Sequence, residues 1–286
     1  MRLPHAQAFN AAGAGLLMFA YCAAVSAGVL NEVPSCYKAN QLAAMLSPPA
    51  REIFVVIDQT TILDEDLKTA VLENVRHFLG PDSSYTVVSF SAFSQGRYTE
   101  IVGTGTIEPP FPANERDSTS ERLLKSLDVC LQKQGTWAKG KVSEDIGKTL
   151  VASSPDLARS DILEALHDIS SRIEASPARD KVLLMVSDML ENSSISSFYA
   201  RGGRVRKIDP DRELTLAQKA DTVGVLHNVR VDVLGAGLLG PTADRHSTYR
   251  DPQTLTALHE FWKQYFDKSG AVLEQFGEPA LLQPIE

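Results

Sequence analysis

Two apolar runs in this sequence end abruptly in an acid. Arg51–Ile62, REIFVVIDQTTI, carries Ile53, Phe54, Val55, Val56 and Ile57 into Asp58, and Lys181–Asp188, KVLLMVSD, repeats the pattern and closes on Ser187-Asp188. Continuous apolar runs of this length are what strands buried on both faces of a parallel sheet require. Each acid then stands at the carboxyl end of a strand, the edge where open α/β sheets bind ligands. Two carboxylates brought together there have two chemical options. They can share a hard divalent cation, which takes oxygen ligands, or, without one, their mutual repulsion raises at least one pKa. The plainer alternative is that both acids cap helix N-termini and accept backbone N–H bonds.

The intervening sequence supplies the elements that would position them. After Asp58, the acidic trio Asp64, Glu65 and Asp66 suits a first helical turn, and Leu67, Val71, Val75, Phe78 and Leu79 keep helical spacing until Gly80-Pro81. Ser84–Phe93 and Arg97–Ile107 read as strands whose short connection permits a hairpin, hence an antiparallel edge strand. Past the Pro-rich loop Glu108–Asp117, Ser118 or Ser120 can cap a helix bearing Leu123, Leu127, Cys130 and Leu131, whereas Gln134–Ser154 is polar and weakly patterned. Ser160-Asp161 can cap a helix with Ile162, Leu166, Ile169 and Ile173 on one face. Glu191–Arg212 is a long polar loop, and loops of that length inside compact domains are more often functional than idle. A helix around Leu214–Asp221, a strand at Val229–Leu234, a helix opened by Asp251-Pro252 and ended by Gly270, and a strand at Ala271–Phe276 complete the chain. This alternation predicts an α/β fold with a doubly wound, mostly parallel sheet of about six strands and one antiparallel edge strand.

The first 27 residues have the layout of a signal peptide: Arg2 and His5, then a run rich in Ala, Gly and Leu, then Val25 and Ala27 at cleavage-site positions. An uncleaved membrane anchor is the competing reading, because the run has about the minimum length to span a bilayer. Residues 28–50, with Pro34, Pro48 and Pro49, read as an arm, and 51–286 as the domain. Export places the chain in the periplasm or outside the cell and leaves Cys36 and Cys130 as its two thiols. They fit either one disulfide or, for Cys130, a buried thiol on an apolar helix face. The net charge of -8 excludes a nucleic-acid groove, which needs a concentrated positive face. The one basic cluster, Arg201, Arg204, Arg206 and Lys207, reads as a solvated loop.

Taken with these elements, Arg51–Phe276 resembles the von Willebrand factor A-type domain. That family binds a metal ion at the top of its sheet through an Asp-x-Ser-x-Ser motif after the first strand, a Thr ahead of a later helix and an Asp after the fourth strand. The resemblance implies Asp58 and Thr60 as the first two ligands, Ser160 in RSDILEAL at the position of the Thr, and Asp188 as the last Asp. Ile62 stands where the third hydroxyl belongs and offers no oxygen. Carboxylates and hydroxyls suit Mg²⁺, with Mn²⁺ or Ca²⁺ as alternatives.

Other patterns are weaker. Gly235-Ala-Gly237-Leu-Leu-Gly240 matches the dinucleotide spacing, but Pro241 and polar residues follow instead of an apolar helix, so it reads as a rim loop. The six histidines show no zinc spacing, and neither a Gly-x-Ser-x-Gly elbow nor a Walker loop is present. Asn192-Ser193-Ser194 fits a glycosylation sequon, and Trp262 with its aromatic neighbours reads as core. The expectation is a non-enzymatic binding module that engages a protein partner at the carboxyl end of the sheet, through a bound divalent cation if one is held. A phosphoryl-transfer hydrolase using Asp58 is the alternative, although Thr60 stands where such enzymes need a second acid. A metal-free accessory subunit of an envelope assembly, with the Glu191–Arg212 loop as its contact surface, is a narrower form of the first.

Overall fold

In the computed structural model, residues 31–94, 97–154, 157, 159–201, 204–238 and 251–286 are described, residues 92–94, 97 and 98 by backbone alone. Residues 1–30, which contain the expected signal segment, and residues 239–250 therefore lie outside the described residues.

Six strands form one sheet: β1 (Arg51–Asp58), β2 (Ser83–Ser94), β3 (Arg97–Ile107), β4 (Asp180–Val186), β5 (Val229–Leu234) and β6 (Val272–Phe276), in the order β3-β2-β1-β4-β5-β6. All neighbours pair in parallel except β2 and β3, which form the predicted antiparallel edge. This is a doubly wound order: the chain leaves β1 toward β2 on one side and returns to β4 on the other, so the switch point lies between β1 and β4.

Alternation along the central strands explains the unbroken apolar runs. Phe54 and Val56 of β1, with Leu183 and Met185 of β4, face a core completed by helices α4 (Ile162–Ala175) and α6 (Pro252–Ser269). Ile53, Val55 and Ile57, with Val182, Leu184 and Val186, face the opposite core under α2 (Glu65–Phe78) and α3 (Glu121–Val151). Asp58 continues the register of Phe54 and Val56, so its side chain leaves β1 on the α4 side.

Most predicted boundaries hold. Asp64 caps α2 through Leu67 N at 2.8 Å, Ser120 caps α3, Asp251 caps α6, and Gly270 ends α6 at φ +83°. The weakly patterned Gln134–Ser154 stretch is, through Val151, the second half of α3, a 31-residue helix. Its buried stripe runs Gln134, Ala138, Val142, Asp145, Ile146, Thr149 and Leu150, so the apolar i, i+4 run Ala138, Val142, Ile146, Leu150 is present but interleaved with polar residues.

The arm folds onto α3 rather than extending from the domain. A short helix α1 (Cys36–Ala39) packs Tyr37 with Phe111 and Leu127, and Cys36 is bonded to Cys130, which settles the choice between disulfide and buried thiol. Glu108 holds the junction by accepting from Cys36 N at 2.7 Å, Tyr37 N at 3.2 Å and Gln134 Nε2 at 3.0 Å.

Candidate functional site

Asp58 lies at the switch point and is completely buried. Its Oδ1 accepts from Thr60 N at 2.9 Å and Thr60 Oγ1 at 2.7 Å, while Oδ2 accepts from Ser160 Oγ at 2.7 Å and Ser187 Oγ at 2.9 Å. One carboxylate thereby joins three loops, those after β1, before α4 and after β4. Burial pushes the Asp58 carboxyl above the ordinary carboxylate range, and the four hydrogen bonds work against that rise by favouring the anion.

Three of the four ligands implied by the resemblance, Asp58, Thr60 and Ser160, therefore meet directly. Asp188, half-buried, is tied in through its backbone: its N–H donates to Thr61 Oγ1 at 3.0 Å and its carbonyl accepts from Gly237 N at 3.0 Å. Its Oδ1 accepts from Leu190 N at 2.9 Å, shaping the turn that follows β4. Neither Asp58 nor Asp188 caps a helix, but each accepts a backbone N–H bond, from Thr60 and Leu190, as the plainer alternative expects in part. Ile62 is 37 % exposed beside these loops and brings no donor atom.

Ser187 was not among the anticipated residues. The available signal was alternation along β4, since Ser187 continues the face of Leu183 and Met185, the side on which Asp58 leaves β1. Glu191 was also missed, and no local pattern marks it. Fully buried, it accepts from Leu163 N at 3.1 Å through Oε2 and so caps α4, where Asp161 occupies the cap position without a side-chain cap bond. Asn192 N donates to Ser160 O at 3.0 Å. The segment after β4 thus fixes both the helix that carries Ser160 and Ser160 itself. Desolvation raises the Glu191 carboxyl to about 8.

The Glu191–Arg212 loop is packed rather than merely solvated. Phe198 and Ile208 are buried, Trp262 Nε1 donates to Met189 O at 2.8 Å, and Arg206 pairs at 2.9 Å with Glu213, itself buried at the start of α5 (Pro210–Lys219). Arg206 is thus withdrawn from the basic cluster expected to be solvated. In the glycine pattern, Gly235 N donates to Pro279 O at 2.7 Å and Gly237 N to Asp188 O, so these amides are committed within the chain. Residues 239–250 lie outside the described residues.

The donor set fits a hard cation: every side-chain donor is oxygen, and each hydroxyl that donates to Asp58 keeps lone pairs for a second role. Among the described residues no group of three or more His, Cys, Asp or Glu side chains converges, which leaves this mixed carboxylate and hydroxyl set as the arrangement to consider.

No protein-family model matches the chain, and no curated protein matches it. Among solved structures, an aerotolerance-related membrane protein from Bacteroides fragilis is similar at 11 % identity with a TM-score of 0.34, over 79 % of this chain and 92 % of that one. The fold assignment rests on the strand order and pairing: a doubly wound, Rossmann-like α/β sheet, five strands parallel and one antiparallel.

Proposed function

We propose that this chain is a non-enzymatic, extracytoplasmic binding module that engages a protein partner at the rim around Asp58, with Asp58, Thr60, Ser160 and Asp188 holding a divalent cation, Mg²⁺ by preference. The observation that carries the reading is the convergence of hydroxyls from three loops on one buried carboxylate at the switch point of the sheet. The cation would supply positive charge to an acidic side chain of the partner, and the protein's own part is to hold the oxygens and loops in place.

The rim also offers apolar contact area suited to a protein. Ile62 is 37 % exposed, and Leu157 and Val151, 37 % and 78 % exposed, belong to the segment whose Ser154 N donates to Gln59 O at 2.9 Å. A disulfide accords with an oxidising compartment outside the cytoplasm. Among the described residues no helix is long and apolar enough to cross a membrane.

A second reading, a metal-free scaffold, is favoured by one fact: both Asp58 oxygens already have two protein donors each. The hydrolase alternative lacks comparable support, since Thr60 stands where such an enzyme needs a second acid and its hydroxyl donates to Asp58. Capture of partners from an envelope extract tests the rim directly. Ile62→Asp should abolish co-purification, whereas shortening the loop tip at 199–205 should preserve it; the reverse pattern would move the contact surface to the loop.

A further inference from the structure

A second concave site lies at the opposite end of the sheet. A cavity of about 430 Å³ opens between the turn after α2, the end of β3 and the middle of α3, within the size range of small-molecule sites. Its body is apolar, formed by Ile107, Leu131, Pro81 and Pro110. Gly135 keeps it open: a Cβ there would meet only Ile107, at 4.0 Å.

The charged groups at its wall differ in whether they already have a partner. Glu108 is fully engaged, accepting from Ser35 Oγ, the Cys36 and Tyr37 amides and Gln134 Nε2. Asp128 is matched by Arg116 through two contacts at 2.7 and 3.3 Å. Lys139, half-exposed at the wall, makes no side-chain hydrogen bond or ion pair among the described residues. The uncommitted charge facing an apolar hollow is therefore a single ammonium, which complements one anionic group attached to an apolar body.

We propose that this cavity binds a small amphipathic carboxylate, its apolar part against Ile107 and Leu131 and its carboxylate on Lys139. Because the cavity is at the amino end of β1 and the Asp58 rim at the carboxyl end, the two sites stand or fall separately.

The test is titration of the ¹⁵N-labelled chain with decanoate and, in parallel, with decyltrimethylammonium, following the Gly135 and Thr136 amides. Decanoate should shift both saturably at one molecule per chain, and the cationic amphiphile should bind about tenfold more weakly or worse. Lys139→Glu should weaken decanoate by a similar factor, and Lys139→Arg should retain it. Gly135→Leu fills the cavity at a helix-interior position where loss of glycine favours the helix, so it should abolish binding with an equal or higher Tm. Absence of shifts at these amides, shifts that survive Gly135→Leu, or equal binding of the two amphiphiles would each overturn the proposal.

Discussion

Removing the Asp58 carboxylate leaves the buried hydroxyls of Ser160 and Ser187 without their acceptor, and the hydroxyl and amide of Thr60 with it. Asp58→Ala should therefore cost about 3–5 kcal/mol by chemical denaturation, in the range seen when a buried polar network loses its centre. Ser187→Ala, which removes one hydrogen bond to a charged group, should cost about 1.5–3 kcal/mol. A Ser187→Ala value near zero would mean the hydroxyl plays no part in holding Asp58. Glu191 makes a pH-dependent claim. Its carboxyl is raised from an ordinary value of 4.5 to about 8, so the folded chain holds a proton that the unfolded chain releases between those values. The stability this contributes is fully present below about pH 4.5 and is lost as pH rises toward 8, at about 1.4 kcal/mol per pH unit. Glu191→Gln should flatten the stability profile over that window, read by denaturation from pH 5 to 8; an unchanged slope would assign it to other groups.

At the scale of elements, the segments that matter most are those joined by contacts distant in sequence. The Cys36–Cys130 bond closes a loop with a separation of 94 residues, for which the chain-entropy model gives about 4–5 kcal/mol as an upper estimate. Cys36→Ser should lower the midpoint of denaturation accordingly and expose Tyr37 and Phe111, measured against the wild type with and without reductant. Arg206→Ala would strand Glu213 in a buried position and should cost about 3–5 kcal/mol, with faster amide exchange concentrated around 196–213. The central strands were legible because β1 and β4 are buried on both faces and so are apolar without interruption. The second half of α3 was not, because Gln134, Asp145 and Thr149 interrupt the apolar stripe of Ala138, Val142, Ile146 and Leu150, and their partners, Glu108 after β3 and groups of their own helix, are not marked by any spacing. The same limit hid Glu191 and the Arg206–Glu213 pair: a buried charge is defined by a partner that sequence spacing does not reveal. Asp58 could be read from its place at a strand end, whereas Thr60 and Ser160 were implied by the family resemblance.

For the whole molecule, a sheet whose strand order reverses between β1 and β4 places the Asp58 rim at one end and the disulfide-clamped arm at the other. The acidic balance, with a net charge of -8, suits a cation at the rim and disfavours a polyanion anywhere on the surface. Ile62 is the residue on which the proposed cation site turns, since a hydroxyl there would add a further oxygen ligand. Calorimetric titration with Mn²⁺ of the wild type, Asp188→Ala and Ile62→Ser addresses this most directly. One ion per chain in the wild type, none in Asp188→Ala and about tenfold tighter binding in Ile62→Ser are the predicted results. No heat at millimolar Mn²⁺ in either the wild type or Ile62→Ser would contradict a cation site and leave Asp58 as the hydrogen-bonded centre of a metal-free scaffold.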